Sequence, residues 1–471
     1  MSTTTASPDS LTKASGTPPT VASEPTLAAM AAQTKADRNR AIDVYRVVAM
    51  LAVAFGHWVA MVAIMDNGRL VGGNALEFVP SMAWVTWLLQ VMPLFFVVGG
   101  YSSAMSLDSA ARPAGADDSY RLGLQPPRAD YRPQDWIAAR LRRMLPPAVA
   151  LAGTWLVLIS LGAAFGQLDL VAAGAFAAAV PLWFLANYTI DTALAPFVLP
   201  RLRRRPRMVA ATIVGAFLAF EAFRIAGIGH LAAANWVIGW LSFQVLGMAW
   251  RDGLLPTGRR LLVLAGLCWA GAIAIVTSGG PWSVSMVGFD GIAHAPTNPP
   301  NLALLVFGAA YSLTAIAAAP AVSRFVAARP TVWTGVIAAN TVAMSIYLWH
   351  MTAAIAVTAV LHLTVGLPET SVASVTWWLW KVPTIVGSML VLAPIVFLVS
   401  GIERKAMLAP RRPWNGGVAS IFGVAIVASA ALKWWTVDRL EVMVPCLVVL
   451  VLLGRTVLRP TEAPTPTPAS T

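Results

Sequence analysis

Between residues 41 and 457 the sequence returns twelve times to a run of apolar side chains, most of them near the roughly 20 residues a helix needs to cross a bilayer. The runs fall at 41–64, 81–107, 138–164, 181–200, 208–228, 232–250, 260–277, 302–323, 334–361, 375–401, 418–433 and 441–457. Only helices and closed barrels satisfy the backbone in hydrocarbon, and runs this rich in Ala, Val and Leu read as helices. The predicted fold class is therefore an all-α polytopic membrane protein. Only 11% of residues are charged, against about 25% in soluble domains. That excludes an ordinary soluble enzyme, a disordered chain and a coiled coil. Both cysteines, Cys268 and Cys446, sit inside apolar runs, which excludes a disulfide scaffold and a Cys-rich zinc site.

The net charge of +12, from 33 Lys and Arg against 21 Asp and Glu, is mostly an orientation signal. Basic residues crowd alternate connections: Lys35, Arg38 and Arg40; Arg140, Arg142 and Arg143; 201–207; Arg251, Arg259 and Arg260; Arg324 and Arg329; 404–412; Arg455 and Arg459. The intervening loops 165–180, 278–300 and 362–374 carry none, and loop 65–80 has only Arg69. By the positive-inside rule both termini face the cytoplasm. Because these clusters interleave with spans, they form no single face for nucleic acid. Residues 1–36 and 460–471, poor in large apolar residues, read as disordered cytoplasmic tails.

Ionisable residues inside spans are costly and face a protein interior or a cavity. In the first run, AIDVYRVVAMLAVAFGHWVAM, Arg46 and His57 are three turns apart on one face, about 16 Å by helical rise, with Asp43 near that face. Imidazole is the natural general base near neutral pH, though His57 also reads as a core histidine and Asp43 and Arg46 as interfacial anchors. In PLFFVVGGYSSAM, Pro93 can kink the helix and Gly99-Gly100 admits a close backbone. Arg140 and Arg143, one turn apart, suit phosphate, or serve as positive-inside anchors. Trp183, Asn187 and Asp191 recur every four residues on one face. Glu221 and Arg224 can simply pair. In ANTVAMSIYLWHM, Asn340 and Tyr347 share a face, and His350 lies at a depth similar to His57. The loop 278–300, with Asp290 and His294, is long enough to be functional. His230 and His362 read as surface residues. No dinucleotide, phosphate-loop, zinc-protease or nucleophile-elbow motif occurs.

Taken together, several of these segments resemble the membrane acyltransferase-3 family, integral-membrane O-acyltransferases of bacterial cell-surface glycans. Asp43, Arg46 and His57 look like its Asp-x-x-Arg…His signature, PLFFVVGGYSSA like its Phe-Phe-x-x-Ser-Gly-Phe stretch, and Arg140 and Arg143 like its Arg-x-x-Arg motif followed by proline. PLWFL and SIYLWH match two further stretches. The likeness runs over residues 40–402. It implies about ten acyltransferase-like helices within 37–412, followed by two added helices within 413–459. Where the family has serine, this chain has Gly99. The resemblance further implies a plasma-membrane enzyme of the cell envelope, moving an acyl group, usually acetyl, from cytoplasmic acyl-CoA to a hydroxyl of a glycan or lipid-linked sugar. Acyl-CoA is then a substrate, with no permanently bound cofactor and no metal. His57, with His350 and Asp191, is expected to be catalytic. Arg140, Arg143, Arg46 and Asp43 are expected to hold the donor, and Tyr347 and Asn187 to steady an oxyanion or the substrate. A transporter or flippase of a lipid-linked glycan is the alternative, and a non-catalytic membrane scaffold a second rival.

Overall fold

The computed structural model describes residues 31–458 apart from 36–37, 68, 290, 293, 295, 409–412 and 438. The tails read at 1–36 and 460–471 lie outside the described residues except for 31–35, where Thr34 accepts a hydrogen bond from the Trp333 indole at 3.1 Å. Asp290 is also outside them.

Apolar runs become helices in sequence order: α1 (Ala41–Ala60), α2 (Met92–Ala111), α3 (Pro133–Ala164), α4 (Leu168–Ala179), α5 (Leu182–Arg204), α6 (Pro206–Ile225) and α7 (Asn235–Arg251). They continue as α8 (Gly258–Thr277), α9 (Leu302–Ala327), α10 (Pro330–Thr341), α11 (Ala343–Thr364), α12 (Val375–Leu408), α13 (Val418–Trp435) and α14 (Leu440–Leu458). Among the described residues, eleven helical segments are long and apolar enough to cross a membrane, and they coincide with the first eleven runs. The protein is a multi-pass α-helical membrane protein. The twelfth run forms α14 and lies beyond those eleven.

Three runs are not the continuous helices their length predicts. The first stops at Ala60, and Met61–Asp66 (β1) turns back against Arg69–Asn74 (β2) as an antiparallel hairpin. The cause is local: Asn-Gly is the favoured sequence for a two-residue hairpin turn, and Asn67 adopts the left-handed φ of 49°. The second opens as a 3-10 turn, Pro80–Val85, and one helical turn, Thr86–Leu89, before α2. The ninth breaks at Val342 into α10 and α11. There the Asn340 amide donates to the carbonyls of Val336 at 2.9 Å and Asp43 at 3.1 Å, and the Thr341 hydroxyl donates to Ala338 at 2.7 Å. Side chains that capture nearby carbonyls compete with the helical ladder and end it. So Asn340 lies on α10 while Tyr347 and His350 lie on α11, and the single helix face read for Asn340 and Tyr347 is interrupted at Val342.

Glycines set the closest approach in the bundle. A Cβ on Gly100 of α2 would lie 1.8 Å from the Gln244 carbonyl oxygen of α7, and one on Gly247 of α7 would lie 1.9 Å from the Val97 carbonyl. The Gly-Gly pair admits a backbone, as small residues do between membrane helices. Gly99 faces the Tyr188 ring, 2.6 Å from where its Cβ would be. A serine at that position would require the Tyr188 ring to shift.

The basic connections meet at one end. Buried Arg203 of α5 binds Asp108 of α2 at 2.6 and 2.9 Å and Asp252, just after α7, at 2.7 and 2.9 Å. Arg121 lies 4.0 and 3.9 Å from the same two carboxylates, so two cations face two anions. Buried charges persist only when paired in this way. Nearby, Arg112 and then Lys35 hold the exposed Asp118 carboxyl below the usual carboxylate range. The helices that follow Arg412 join the same bundle: α13 packs on α5 and α3, and α14 on α3 and α13.

Candidate active site

His57 sits in the last turn of α1, at the end away from the basic cluster. The last four carbonyls of a helix lack intrahelical partners. Lys381, buried within α12, caps this end: its ammonium donates to the Trp58 carbonyl at 3.2 Å and, just past the helix, to the Met61 carbonyl, with the Trp377 ring 4.7 Å away. A lone lysine inside the apolar run 375–401 is the signal that marks this residue in the sequence.

His350 of α11 comes up directly behind His57. Its Nε2 lies 2.8 Å from His57 Nδ1, and the two rings are within 4° of parallel. The far side of His350 is fixed as well, since Nδ1 is 2.7 Å from the Tyr347 carbonyl. A carbonyl only accepts, so His350 carries its proton on Nδ1 and presents a bare Nε2. His57 must then donate from Nδ1, which leaves its own Nε2 unprotonated and basic. The Trp58 indole donates to the His350 carbonyl at 2.9 Å and locks α1 against α11. His350 is fully buried, while His57 keeps an accessible edge.

That edge lines a cavity of about 450 Å³, within the span usual for small-molecule sites. Trp183, Tyr347, Gln90 and Thr86 share its wall, and the loop 278–300 contributes Val287, Gly288, Phe289, Thr297 and Asn298. The loop is docked rather than draped. The Trp87 indole donates to Val284 at 2.7 Å, the Gln90 amide to Met286 at 2.6 Å, and the Met286 amide to Thr86 Oγ1 at 2.8 Å. Glu221 and Arg224 pair at 2.9 Å, as their spacing predicts, and also hold this loop. Glu221 accepts from the Trp282 indole, and Arg224 donates to the carbonyls of Pro299 and Pro300.

Other residues singled out in the sequence sit elsewhere. Asp191 is fully buried in α5 but neither lines this cavity nor bonds to either histidine. The Tyr347 hydroxyl donates to the Pro181 carbonyl at 2.6 Å, and the Asn187 amide donates to the Trp236 carbonyl. The one hydroxyl proton of Tyr347 is thus engaged by backbone, as is one of the two amide N–H groups of Asn187. Towards the basic end, Arg46 donates to Asn340 at 3.1 Å and Ser102 at 2.9 Å and lies 3.5 Å from Asp43, which also binds Arg38 at 2.9 and 3.0 Å. This node braces α1, α2 and α10. Arg140 stacks its guanidinium 5.1 Å over Trp136, and Arg143 is half-buried one turn on. Neither reaches the histidine cavity.

Fold and site together define a multi-pass membrane protein with a polarised histidine pair at a cavity inside the helical bundle. The chain belongs to the acyltransferase-3 family: residues 39–400 match the family described as an acyltransferase domain. The match ends before α13 and α14. No curated protein and no solved structure matches the chain.

Proposed function

We propose that this protein is an O-acyltransferase of the plasma membrane. It moves an acyl group, acetyl by the family's usual chemistry, from cytoplasmic acyl-CoA to a hydroxyl of a cell-surface glycan or lipid-linked sugar. The observation that carries the reading is the chain from the Tyr347 carbonyl through His350 to His57, which ends in a basic nitrogen at a cavity. An accepting group behind a histidine, fixing its tautomer and orientation, is the arrangement by which hydrolases and transferases activate a hydroxyl.

In this mechanism the acceptor hydroxyl enters the cavity and gives its proton to His57 Nε2 as its oxygen attacks the thioester carbonyl. The tetrahedral oxyanion collapses, the carbon–sulfur bond breaks, and the departing thiolate takes the proton from His57 to leave free coenzyme A. The ester forms and the histidine pair returns to its starting tautomers. Arg140 and Arg143, at the basic end, hold the donor's phosphates through planar guanidinium forks. Arg46 and Asp43 keep α1 in register so that the pantetheine arm, entering from that end, reaches His57.

The test is thiol release from acetyl-CoA by the purified protein in lipid nanodiscs, with an alkyl glycoside as acceptor. Turnover that depends on His57 and yields acetylated glycoside supports the reading. Absence of thiol release with every acyl-CoA offered sinks it.

A further inference from the structure

The helix α13 lies outside the residues that match the family, yet its last turn forms part of the cavity wall. Lys433 and Thr436 line the space that His57 lines. The Lys433 ammonium donates to Asn298 Oδ1 at 2.9 Å and lies 5.7 Å from the Trp236 ring. Both partners are neutral. Among the described residues, no carboxylate lies within ion-pair distance of Lys433 and none lines the cavity. A lysine that merely anchored the end of a span would extend its head towards water and lipid headgroups. This one is bonded to Asn298 of the docked loop and places a positive charge on the cavity wall that His57 also lines, a wall otherwise apolar or uncharged.

We propose that Lys433 makes this cavity select acceptors that carry an anionic oxygen group, a phosphate or a carboxylate, close to the hydroxyl to be acylated. The identity of the occupant rests on the acyl-transfer reading above; the charge preference does not. Asn298 holds the ammonium in place, and the Trp236 face shields one side of it, so the charge is ready before the ligand arrives. An ammonium on a carboxylate or phosphate makes a charge-assisted hydrogen bond, stronger than the neutral one to Asn298. The two added helices then serve acceptor choice, with α14 holding α13 against α3.

Binding is read by tryptophan fluorescence, since Trp183 lines the cavity and Trp236 underlies Lys433. The full chain in nanodiscs is titrated with octyl β-glucoside, octyl β-glucuronide and octyl β-glucoside 6-phosphate, each below its micelle concentration. The wild type should bind at least one anionic probe about tenfold more tightly than the neutral one, as a charge-assisted bond allows. Lys433→Gln, which keeps a donor for Asn298, should bring that preference below about twofold, and Lys433→Arg should retain most of it. Preference on the glucuronide alone or the 6-phosphate alone supports the proposal and assigns the anion. Equal affinities for all three probes in the wild type, or a preference that survives Lys433→Gln, overturn it. Thiol release separates this from the parent reading. An anion preference that depends on Lys433 without acetyl-CoA turnover sinks only the transferase reading; turnover without that preference sinks only the role of Lys433.

Discussion

His57 and His350 are 293 residues apart in sequence and 2.8 Å apart in space. Their chemistry is polar at both ends: a carbonyl fixes one ring, and that ring fixes the other. General-base participation contributes about 10² to 10⁴ in rate. His57→Gln should therefore lower kcat by at least about 10² with near-normal membrane yield. His350→Ala should also lower kcat, because His57 loses the acceptor that holds its proton on Nδ1. The loss should be smaller, about 10¹ to 10², since the base itself remains. Steady-state thiol release on both variants checks the order, and equal rates for wild type and His350→Ala would show the relay to be idle. Tyr347 is a separate case. An oxyanion donor costs about 10² to 10³ in kcat when removed. Tyr347→Phe should fall far short of that, because its hydroxyl serves the Pro181 carbonyl and its own carbonyl is untouched. The variant should instead lose about 1–3 kcal/mol of stability, read by thermal unfolding, from the carbonyl left unsatisfied. His57 is visible in the sequence because imidazole is rare in so apolar a run. The engagement of Tyr347 and Asn187 is not, because both partners are backbone carbonyls supplied by other segments.

Glycine contacts and helix ends decide how the elements fit. Gly100 meets backbone rather than a side chain, so nothing flexible can give way. Gly100→Ala should destabilise the fold by at least about 1–3 kcal/mol, the usual cost of overpacking. Gly153, inside α3 with open space around its would-be Cβ, is the control, and Gly153→Ala should be neutral or raise stability by up to about 1 kcal/mol. Thermal unfolding of the two variants side by side gives the comparison, and equal melting shifts would remove the close-approach argument. Element existence is legible here because apolar length sets it: residues 302–323 and 375–401 could be nothing but helices in lipid. Breaks inside the runs are less so. The hairpin after Ala60 has a local signal in Asn67-Gly68. The break at Val342 has none, because one of the carbonyls that capture Asn340 belongs to Asp43, nearly 300 positions away. The buried Arg203–Asp108–Asp252 cluster is hidden for the same reason, since Arg203 looks like one more positive-inside arginine until α2 and the end of α7 come together around it.

Across the whole molecule, charge and chemistry are polarised along the bundle. One end gathers Lys35, Arg112, Arg121, Arg132, Arg203 and Arg204 with the connections that carry them, through contacts such as Lys35 to Asp118 and Arg204 to the Gly123 carbonyl. The other end carries the docked loop 278–300, the β-hairpin and the histidine cavity. A positive excess on the cytoplasmic side is what orients such proteins, so we propose that the first end faces the cytoplasm and that the cavity lies in the outer half of the membrane. That orientation would let the proposed cytoplasmic thioester and outer acceptor approach His57 from opposite sides without either crossing the bilayer whole. It also predicts which surface residues an external reagent can touch. Ser119, in the connection between α2 and α3, and Ser278, just after α8, are both exposed, at opposite ends. In a background with Cys268 and Cys446 replaced by alanine, Ser278→Cys should react with a membrane-impermeant maleimide added to intact cells. Ser119→Cys should react only after the membrane is permeabilised. Labelling of Ser119→Cys in intact cells would invert the bundle, place the arginines outside, and leave a cytoplasmic acyl-CoA no basic surface on which to dock.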